Sequence, residues 1–460
     1  MAVINPQIFR QYDIRGVSER DLTDETVELL GKAFGTYVRR AGSSRVLVGR
    51  DNRLSSERLR NAIIKGLLST GSDVVDIGLV VTPMLYYARV YYAIDAGVMI
   101  TGSHNPADEN GFKLAHGSGT IYGAEIQKLK TLMDNGDFCS GAGNLEMRDS
   151  VLPYYTMLKE KIKLGPRKLK VAVDCGNGTA ALFARQVLVD WGCEVIPLYC
   201  ESDGAFPNHQ PDPVKTANLT ELRKAVVEKS ADLGIALDGD ADRIGVVDES
   251  GGIIWGDMLM GLYWREVMAR YPGAPAIIEV KCSQALVDEV LRLGGKPFFY
   301  KTGHSLIKAK MKEIGAVFTG EMSGHMFFAD EFFGFDDAFY AAGRLLRILS
   351  YSSEKLSQMF AAMPKYYSTA ETRIPCPDQD KFLVVDGLVE RFKRDFEVID
   401  VDGMRVLFGD GWGLVRASNT QPVLVARCEA KTREGLQHIC KIVQKALEGF
   451  PQVERFEWEY

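Results

Sequence analysis

The stretch RVLVGRDNRLSSERLRNAIIKGLLSTGSDVVDIGLV, residues 45–80, decides the fold. RVLVGRD (45–51) is an apolar run that ends in a polar turn, as a buried strand does. SSERLRNAIIKGLLSTG (55–71) places four apolar side chains on one helical face and ends with a helix-stopping Gly71. DVVDIGLV (73–80) has the pattern of the next strand. Strand, helix and strand together predict a βαβ unit, which indicates an α/β fold.

Two further segments repeat this order of strands and helices. Residues 170–251 begin with a strand in KVAVDCGNGTAA and end with ADLGIALDGDADRIGVVDESG, which predicts two strands around an acidic loop. Residues 276–328 begin with strand and helix in AIIEVKCSQALVDEVLRLGG and end with AVFTGEMSGHMFF, again strand, loop and strand. The similarity is one of pattern and does not establish a sequence repeat.

The last part of the chain differs from the first three. STAETRIPCPDQDK (368–381) is polar and contains prolines, which is typical of a hinge or linker. A helix, a strand pair around GWGLVRASNTQPVLVARCEA and an amphipathic helix REGLQHICKIVQKALEG follow, which is an α+β pattern. We therefore predict three related mixed α/β domains and a smaller α+β C-terminal domain. Their predicted bounds are residues 1–150, 151–252, 253–367 and 368–460.

Composition and charge argue against several classes of protein. The 460 residues include 55 basic and 61 acidic side chains, which gives a formal net charge of −6. Such a mild acidic excess argues against binding to nucleic acid or to an anionic membrane. The chain has no apolar run long enough to span a bilayer, and its N-terminus lacks the features of a signal peptide. Eight cysteines without C-x-x-C spacing suggest reduced thiols, so we expect a cytoplasmic protein.

Two polar loops carry residues suited to phosphate and metal chemistry. In TGSHNP (101–106), Ser103 directly follows a buried strand. Its hydroxyl is either a nucleophile or phosphate carrier, or the cap of an ordinary turn. In DGDADR (238–243), three alternating carboxylates, those of Asp238, Asp240 and Asp242, converge hard oxygens on one point. Mg²⁺ or Ca²⁺ suits such a loop and would offset the repulsion between the carboxylates.

Three other motifs fit these loops less well. An EF-hand would use Glu249 as its last ligand, but Arg243 occupies the position that needs glycine, and strand patterns flank the loop. A haloacid-dehalogenase-type phosphatase has an acidic loop that opens a helix, whereas IGVV continues here as a strand. The loose dinucleotide fingerprint G-x-G-x-x-A at 176–181 lies in mid-chain, where a structural glycine turn is the simpler interpretation.

Two later loops suit sugar and phosphate binding. In GEMSGH (320–325), Glu321 and Ser323 can hydrogen-bond neighbouring sugar hydroxyls, with an ordinary β-turn as the alternative. In RASNTQP (416–422), the Arg416 guanidinium stands beside hydroxyl, amide and backbone donors, a set that binds anions, with a capped turn as the alternative. Cations near these loops or in turns of their own are each typical of a surface charge when taken singly, but together with the acidic loop they indicate a phosphoryl-transfer site. They are Arg15, Lys113, Lys281, and Lys301 with His304.

Together the four loops resemble the active-site loops of the α-D-phosphohexomutases. They are TGSHNP, DGDADR, GEMSGH and RASNTQP, in this order and at roughly the family's spacings. YDIRG near the N-terminus and KTGH between the second and third loops match as well, so the resemblance covers essentially the whole chain. GEMSGH followed by FFADEFFGFDDAFY resembles the phosphomannomutase/phosphoglucomutase branch, whereas phosphoglucosamine mutases more typically carry Gln in place of Met322. The resemblance implies four domains around a central cleft, with one loop from each.

The resemblance also implies an activity, that of an intramolecular phosphotransferase. Such an enzyme reversibly converts a hexose 1-phosphate into the 6-phosphate. Ser103 would carry the phosphate, give it to the sugar to form a hexose 1,6-bisphosphate, and take the other phosphate back. The bisphosphate would also serve as activator. Mg²⁺ would be held by Asp238, Asp240, Asp242 and an oxygen of the phosphate on Ser103.

The chemistry of the remaining residues suggests roles for them in such a reaction. Arg243, Arg15 and Lys113 would stabilise the transferring phosphoryl group. His304 is the first candidate for the general acid or base, because its pKa starts near neutrality. Lys113 is the second, because desolvation and cationic neighbours can lower its pKa. His104 we interpret as structural. The expected substrate-binding residues are Tyr12, Lys281, Glu321, Ser323, His325, Arg416, Ser418, Asn419 and Thr420.

The substrate follows from the part of the sugar that is held. Glucose and mannose differ at C2, so a site that binds O3 and O4 distinguishes them weakly. We therefore expect activity on both phosphates, with phosphoglucosamine mutase as the alternative within the family. A Mg²⁺-dependent sugar phosphatase and a non-catalytic Ca²⁺-binding protein are the alternatives from other classes. The expected partners are small-molecule sugar phosphates; nothing implies a nucleic acid, a membrane or an obligate protein partner.

Overall fold

The computed structural model describes residues 4–419 and 421–458. The chain forms two compact units: Met1–Leu259 with Ser323–Ala361 is the first, and Met260–Met322 with Ala362–Tyr460 is the second. No helix in the described ranges combines the length and the apolar character that crossing a bilayer requires.

The first part of the chain, in the first unit, is a seven-stranded sheet with four helices. Its elements are β1 (Ile14–Val17), α1 (Asp24–Arg40), β2 (Arg45–Arg50), α2 (Ser56–Leu68), β3 (Asp73–Leu79), α3 (Thr82–Tyr91), β4 (Ala96–Ile100), β5 (Glu109–His116), β6 (Gly119–Thr120), α4 (Ala124–Asn135) and β7 (Leu145–Met147). The strand order is β1-β5-β4-β2-β3-β7, and β6 pairs with β5. Strand β2 is parallel to β3 and β4, so the predicted βαβ unit is confirmed.

Two features of this sheet position the first loop. The apolar face of α2 is fully buried at Leu59, Ile63 and Leu67, which fixes the helix against the core. Strands β4 and β5 are antiparallel neighbours, with Met99 opposite Lys113. The segment 101–108 that joins them contains Ser103, so the serine loop and Lys113 belong to one hairpin.

The second part of the chain, also in the first unit, is a five-stranded sheet. Its elements are α5 (Val151–Lys161), β8 (Lys170–Asp174), α6 (Ala184–Asp190), β9 (Glu194–Leu198), α7 (Thr220–Glu228), β10 (Leu233–Leu237), β11 (Ile244–Asp248) and β12 (Ile253–Ile254). The order is β12-β11-β10-β8-β9, with β8 parallel to β9 and β10. Strands β10 and β11 are antiparallel, which confirms the predicted hairpin. Residues 238–243 form its loop.

The third part of the chain contributes to both units. Its elements are α8 (Gly256–Arg270), β13 (Pro275–Glu279), α9 (Gln284–Arg292), β14 (Lys296–Tyr300), α10 (His304–Ile314), β15 (Phe318–Gly320), β16 (Met326–Phe328), α11 (Ala338–Ser350) and α12 (Leu356–Phe360). In the second unit, β13 and β14 form a parallel pair flanked by α9 and α10. Strand β16 and helices α11 and α12 belong to the first unit.

The last part of the chain, in the second unit, is a six-stranded sheet with two helices. Its elements are β17 (Tyr367–Ser368), β18 (Thr372–Pro375), α13 (Lys381–Phe392), β19 (Val398–Ile399), β20 (Met404–Phe408), β21 (Gly411–Ala417), β22 (Val423–Ala430) and α14 (Arg433–Leu447). The order is β17-β22-β21-β20-β19, and β18 also pairs with β22.

Part of the segment predicted as a linker is an edge strand. Residues Thr372–Pro375 pair with β22, with Ile374 opposite Leu424. Thr372 and Ile374 are buried and alternate with exposed Arg373 and Pro375, as expected of a strand with one face on the core. The linker interpretation is therefore wrong for these four residues. The proline that suggested it is tolerated because β18 lies at the sheet edge.

Candidate active site

A buried ion pair between Arg53 and Asp51 fixes the serine loop. Arg53 is completely buried, and its guanidinium donates to the carbonyls of Ser103 at 2.9 Å and of Asn105 at 2.7 Å. Asp51 pairs with Arg53 and accepts the backbone N–H of Gly102 at 3.1 Å. Charged hydrogen bonds to several loop carbonyls fix the backbone more firmly than a turn alone would.

Ser103 itself adopts an unusual backbone conformation. Its φ of 48° lies in the left-handed region, and its N–H donates to Thr101 Oγ1 at 2.9 Å. The hydroxyl is buried, donates to Asp238 Oδ2 at 2.9 Å and lies 3.1 Å from His104 Nδ1. Non-glycine residues in this region are strained and tend to occur at functional sites. His104, interpreted from the sequence as structural, therefore lies within hydrogen-bonding distance of the serine hydroxyl.

The three aspartates of the second loop converge as predicted. They are fully buried, and their carboxylate oxygens lie within 4.8 Å of one another. Lys113 from β5 pairs with Asp240 at 2.6 Å and also with Asp242. The first residue of α3, Thr82, donates its hydroxyl to Asp240 Oδ2 at 2.5 Å. The loop of one sheet is thereby joined to a strand and a helix of the other.

The pKa values of this cluster show a concentrated negative charge. Burial, followed by the charges of Asp242 and Asp240, raises the pKa of Asp238 well above its usual range. Burial also opposes ionisation of Asp242, but the surrounding cationic groups, Lys113 foremost, together outweigh it and the pKa of Asp242 is lowered. Burial alone would lower the pKa of Lys113; Asp240 and Asp242 outweigh it and raise that pKa well above the ordinary value. The expectation that Lys113 has a lowered pKa is therefore wrong.

The aspartate cluster suits a divalent cation. Asp240 Oδ1 and Asp242 Oδ1 are buried and accept no hydrogen bond from the residues that the structure describes. Buried carboxylate oxygens are costly unless a donor or a cation meets them. Carboxylate oxygens are also the ligands that Mg²⁺ prefers. Asp238, Asp240 and Asp242 would hold the ion, with Ser103 Oγ beside them.

Two motifs weighed in the sequence have other tasks in the fold. The Glu249 carboxylate accepts from the Ser357 hydroxyl at 2.5 Å and its N–H at 3.1 Å, so Glu249 caps α12 instead of completing an EF-hand. The glycine turn at 176–178 packs on the aspartate loop, because a Cβ on Gly178 would lie 2.9 Å from the Gly239 Cα. Close packing requires this glycine, as the structural interpretation predicted.

Arg243 is oriented by a histidine whose other ring nitrogen lies beside an aspartate. Its Nε donates to His325 Nε2 at 2.9 Å, so the ring proton of His325 sits on Nδ1. That nitrogen lies 3.2 Å from Asp336 Oδ2 and 3.6 Å from Asp242 Oδ1. Asp336, at 0% exposure, was not singled out in the sequence. The adjacent acids between the aromatic residues of FFADEFFGFDDAFY were the available signal.

The other predicted residues of the first unit are Arg15, Tyr12 and Ser323. Arg15, on β1, pairs with Asp13 and donates to the Asn105 side chain at 3.3 Å. Tyr12 is half-buried in the bend before β1. Ser323 is half-buried in the turn two residues before His325.

In the second unit, Glu279 joins three loops. It ends β13 and is completely buried. Its carboxylate accepts from Thr302 Oγ1 at 2.7 Å and from the Met322 N–H at 3.1 Å, and Lys281 Nζ lies 3.6 Å away. Lys281 also pairs with Glu371 at 2.6 Å. Burial raises the pKa of Glu371, but Lys281 outweighs it and lowers that pKa to about 2.

His304 and Glu321 belong to the two segments that hydrogen-bond Glu279. His304 is buried; it is the last residue of KTGH and the first of α10. The Gly303 N–H, one residue earlier, donates to Glu321 Oε1 at 2.8 Å. The third predicted loop and the KTGH turn are thus brought together.

Arg416 of the fourth loop reaches the same turn through Asp402. The Asp402 Oδ2 accepts from Arg416 Nε at 2.9 Å and from the Thr302 N–H at 3.0 Å. Lys381 fixes the rest of the loop by donating to the Ser418 carbonyl at 2.5 Å. Asn419 follows Ser418, whereas Thr420 lies outside the described residues.

Two buried arginines fix the loop at residues 280–282, which contains Lys281. The sequence does not single out either arginine. Arg405 lies over the Trp412 ring, 3.8 Å from its centroid, and donates to the carbonyls of Val280 and Cys282 at 2.6 and 2.8 Å. Burial lowers the pKa of Arg405 to about 9. Arg427 donates to the Lys281 carbonyl at 2.5 Å. Both stand within ordinary strand patterns, which give no sign of this role.

Family models match four successive parts of the chain. The phosphoglucomutase/phosphomannomutase alpha/beta/alpha domains I, II and III match residues 6–139, 153–252 and 255–367, and the C-terminal domain of the same family matches residues 371–446. Three α/β domains followed by a distinct C-terminal domain is the predicted fold class, which these matches confirm.

Individual relatives agree over nearly the full length. The phosphomannomutase/phosphoglucomutase of Pseudomonas aeruginosa is 46% identical over 447 residues, 96% of each chain. The phosphoglucomutase of Neisseria meningitidis is 42% identical over 458 residues, 98% of this chain and 99% of that one. The crystal structure of a phosphoglucomutase/phosphomannomutase family protein from Burkholderia thailandensis has a TM-score of 0.91 at 40% identity, covering 97% of this chain and 98% of its own. The chain therefore belongs to the phosphoglucomutase/phosphomannomutase family, the α-D-phosphohexomutases that its four loops resemble.

Proposed function

We propose that this protein is a phosphohexomutase that interconverts the 1- and 6-phosphates of glucose and mannose, with Ser103 as the phosphate carrier. The observation that supports this most directly is the 2.9 Å hydrogen bond from Ser103 Oγ to Asp238. It places a strained, buried hydroxyl against three carboxylates that suit Mg²⁺. Relatives named phosphomannomutase/phosphoglucomutase support the choice of sugars.

In the proposed reaction, phosphate on Ser103 passes to a hydroxyl of the bound hexose monophosphate. The hydroxyl oxygen bonds to phosphorus, the bond from phosphorus to Ser103 Oγ breaks, the hydroxyl proton goes to a base, and Oγ takes up a proton. The product is a hexose 1,6-bisphosphate. After it turns over, the reverse step returns its other phosphate to Ser103, so the reaction needs neither water nor a nucleotide.

In the first unit, the metal loop and two cations, Arg243 and Lys113, would stabilise the negative charge of the transferring phosphoryl group. Bound Mg²⁺ would polarise the phosphoryl group and neutralise part of its charge. Arg243, held by His325, supplies an oriented guanidinium for the phosphoryl oxygens. Lys113 contributes as a permanent ammonium and not as a base, because Asp240 and Asp242 raise its pKa.

Two histidines are proposed for the proton transfers. Burial and the charges of Arg243 and Arg15 hold the pKa of His104 well below its ordinary value, so the ring is neutral. Its Nδ1 lies 3.1 Å from Ser103 Oγ, within reach of the proton that this oxygen gains or loses. His304 remains the proposed acid or base for the sugar hydroxyl.

Recognition of the sugar phosphate is proposed for the second unit. Glu321, held by the Gly303 N–H, would bind the O3 and O4 hydroxyls. Lys281 and Arg416 would bind phosphate, because they are the buried cations of the Glu279 and Asp402 networks. Contacts at O3 and O4 do not distinguish the two configurations at C2, so glucose and mannose phosphates would both react.

The carrier role is tested with Ser103→Ala. We expect turnover of glucose 1-phosphate to fall at least about 10³-fold, since the group that accepts phosphate is gone. Incubation with glucose 1,6-bisphosphate should raise the intact mass of the native protein by one phosphate and leave the variant unchanged. Ser118→Ala, at an exposed turn serine, is the matched control and should behave as the native protein.

Two outcomes would contradict this proposal. Near-normal turnover by Ser103→Ala would exclude Ser103 as the carrier. Release of inorganic phosphate from glucose 1-phosphate, without formation of glucose 6-phosphate, would indicate a phosphatase. Assaying glucose 1-phosphate and mannose 1-phosphate side by side also tests the substrates, because activity on only one of them would contradict the dual specificity.

A further inference from the structure

A pair of thiols lies at the carboxyl edge of the second sheet. Strands β8 and β9 are parallel, with Asp174 opposite Leu198, so the residues that follow them meet at one edge. Cys175 directly follows β8, and Cys200 comes two residues after the end of β9. Their sulfur atoms are 3.2 Å apart, and both cysteines are free.

The two thiols differ in access and in acidity. Cys175 is completely buried, whereas Cys200 is half-buried and lines an open cavity of about 460 Å³ together with Arg185 and Tyr199. The hydrogen bond between the two sulfur atoms lowers the pKa of Cys200 and raises that of Cys175. The thiol of the less buried cysteine is therefore the more readily ionised one, as an oxidant-sensitive thiol requires.

A second thiol pair gives a contrast within the same chain. Cys428 and Cys440, in the second unit, also share a hydrogen bond, and both are buried, at 0% and 2% exposure. Burial raises the pKa of Cys428 well above its ordinary value. Neither sulfur is open to a soluble oxidant, so proximity of two thiols alone does not make a reactive site.

The turn that begins at Cys175 leads directly to the metal loop. The Cys175 carbonyl accepts the N–H of Gly178 at 2.8 Å, and the next N–H, that of Thr179, donates to the Gly239 carbonyl at 2.9 Å. Gly239 lies between the first two aspartates of the trio. Only a few covalent and hydrogen bonds therefore connect the backbone at Cys175 with the carboxylates of the metal loop.

We propose that Cys175 and Cys200 form a reversible disulfide and that closing it displaces the metal loop. With hydrogen peroxide as oxidant, the Cys200 thiolate attacks a peroxide oxygen, giving a sulfenic acid and hydroxide. The Cys175 sulfur then attacks the Cys200 sulfur, the S–O bond breaks, and the Cys175 proton leaves with the oxygen as water. In total, two thiols and one peroxide give one disulfide and two waters.

Closing the bond moves the sulfur atoms from 3.2 Å to about 2.05 Å apart. The shift is small, but an error of about 1 Å in a catalytic group can cost ~10²-fold in rate. We expect the disulfide to lower mutase activity about tenfold, and a dithiol reductant to restore it. This effect on activity rests on the proposed function, whereas formation of the disulfide does not.

The experiment treats the full chain with hydrogen peroxide and counts free thiols in denaturant. Two of the eight cysteines should be lost, and peptide mapping should find residues 175 and 200 linked. Cys200→Ser should prevent the link without changing the activity of the reduced enzyme. Cys139→Ser, at the other half-buried cysteine, is the matched control and should still form it.

The outcomes separate the parts of this proposal. If peroxide leaves all eight thiols free, or links a pair other than 175 and 200, the modification site is excluded. If the link forms and mutase activity stays within about twofold, the coupling to the metal loop is excluded. A failure of the proposed function would instead appear as inactivity of the reduced native protein, with the link still formed.

Discussion

The two units arrange buried charge in opposite ways. In the first, three aspartates crowd one turn, and Lys113 pairs with two of them. In the second, buried cations rest on carboxylates: Lys281 on Glu371 at 2.6 Å, and Arg416 on Asp402 at 2.9 Å. Within the described part of the chain, the first arrangement has carboxylate oxygens that accept no hydrogen bond, whereas the second holds its cations in direct contact with acids.

This difference indicates which kind of ligand each unit is suited to bind. A cluster with surplus carboxylates is stabilised by a cation, which suits a metal bound beside a phosphorylated serine. Cations held by carboxylates keep their positions before any ligand arrives, so less side-chain entropy is lost when a phosphate binds. We infer that the first unit holds the metal and the carried phosphate, and that the second recognises the phosphate of the free sugar.

The largest expected effect comes from removing one charge of the trio. Asp240→Asn replaces a carboxylate that faces Lys113 and Thr82 by an amide, which leaves the metal with a weaker ligand set. We expect kcat to fall about 10³-fold, because electrostatic stabilisation of a transferring group depends on such positioned charges. The measurement is the mutase rate over a range of Mg²⁺ concentrations, where half-maximal activity should require more Mg²⁺.

Glu249→Gln is the control for this variant. It removes the carboxylate that an EF-hand would use, but an amide oxygen can still accept from Ser357. We expect its rate and Mg²⁺ requirement to match the native protein. A loss in Glu249→Gln comparable to that in Asp240→Asn would mean that the metal site has been assigned to the wrong residues.

Much of the first unit could be predicted from sequence because its signals are local. The hairpin around DGDADR combines two apolar runs with three alternating carboxylates, so strand, loop and metal chemistry are all visible in one stretch. Ser103 likewise follows a buried strand and stands beside glycine. Such motifs carry their chemistry in neighbouring residues, and the fold needs only to bring the loops together.

What escaped prediction depends on contacts between distant segments. Lys113 lies 127 residues from Asp240, and no local pattern shows that these two would pair and raise the lysine's pKa. Arg53 and Arg405 stabilise functional loops from buried positions that look like ordinary polar residues in the sequence. Thr372–Pro375 resembled a linker because an edge strand needs few apolar residues.

The next prediction concerns Asp336. Its replacement by asparagine changes the orientation of Arg243 and leaves the charge of the guanidinium in place. In Asp336→Asn the amide can donate to His325 Nδ1, which moves the ring proton to Nε2 and opposes the N–H of Arg243. We expect kcat to fall about 10²-fold with KM within about threefold, because the misplaced guanidinium acts on the transferring group. Steady-state kinetics with glucose 1-phosphate measure this split.

Asp337→Asn is the neighbouring control. Asp337 caps α11 and accepts from Tyr154 at 2.8 Å, and burial raises its pKa to about 7. An amide there keeps an acceptor for the helix, so we expect near-normal kcat. A change in KM alone for Asp336→Asn, or equal losses in both variants, would show that Asp336 does not orient Arg243.

The smallest expected effect, in the second unit, is a test of shared phosphate recognition. Arg416→Ala removes a buried guanidinium positioned by Asp402, and we expect KM to rise about tenfold for glucose 1-phosphate and mannose 1-phosphate alike. Arg394→Ala, at an exposed arginine of the same unit, should leave both KM values unchanged. If Arg416→Ala raised KM for only one of the two sugar phosphates, the arginine would be recognising the sugar instead of the phosphate. The division between a unit that holds metal and a unit that recognises phosphate would then fail, because phosphate is the part that the two substrates share.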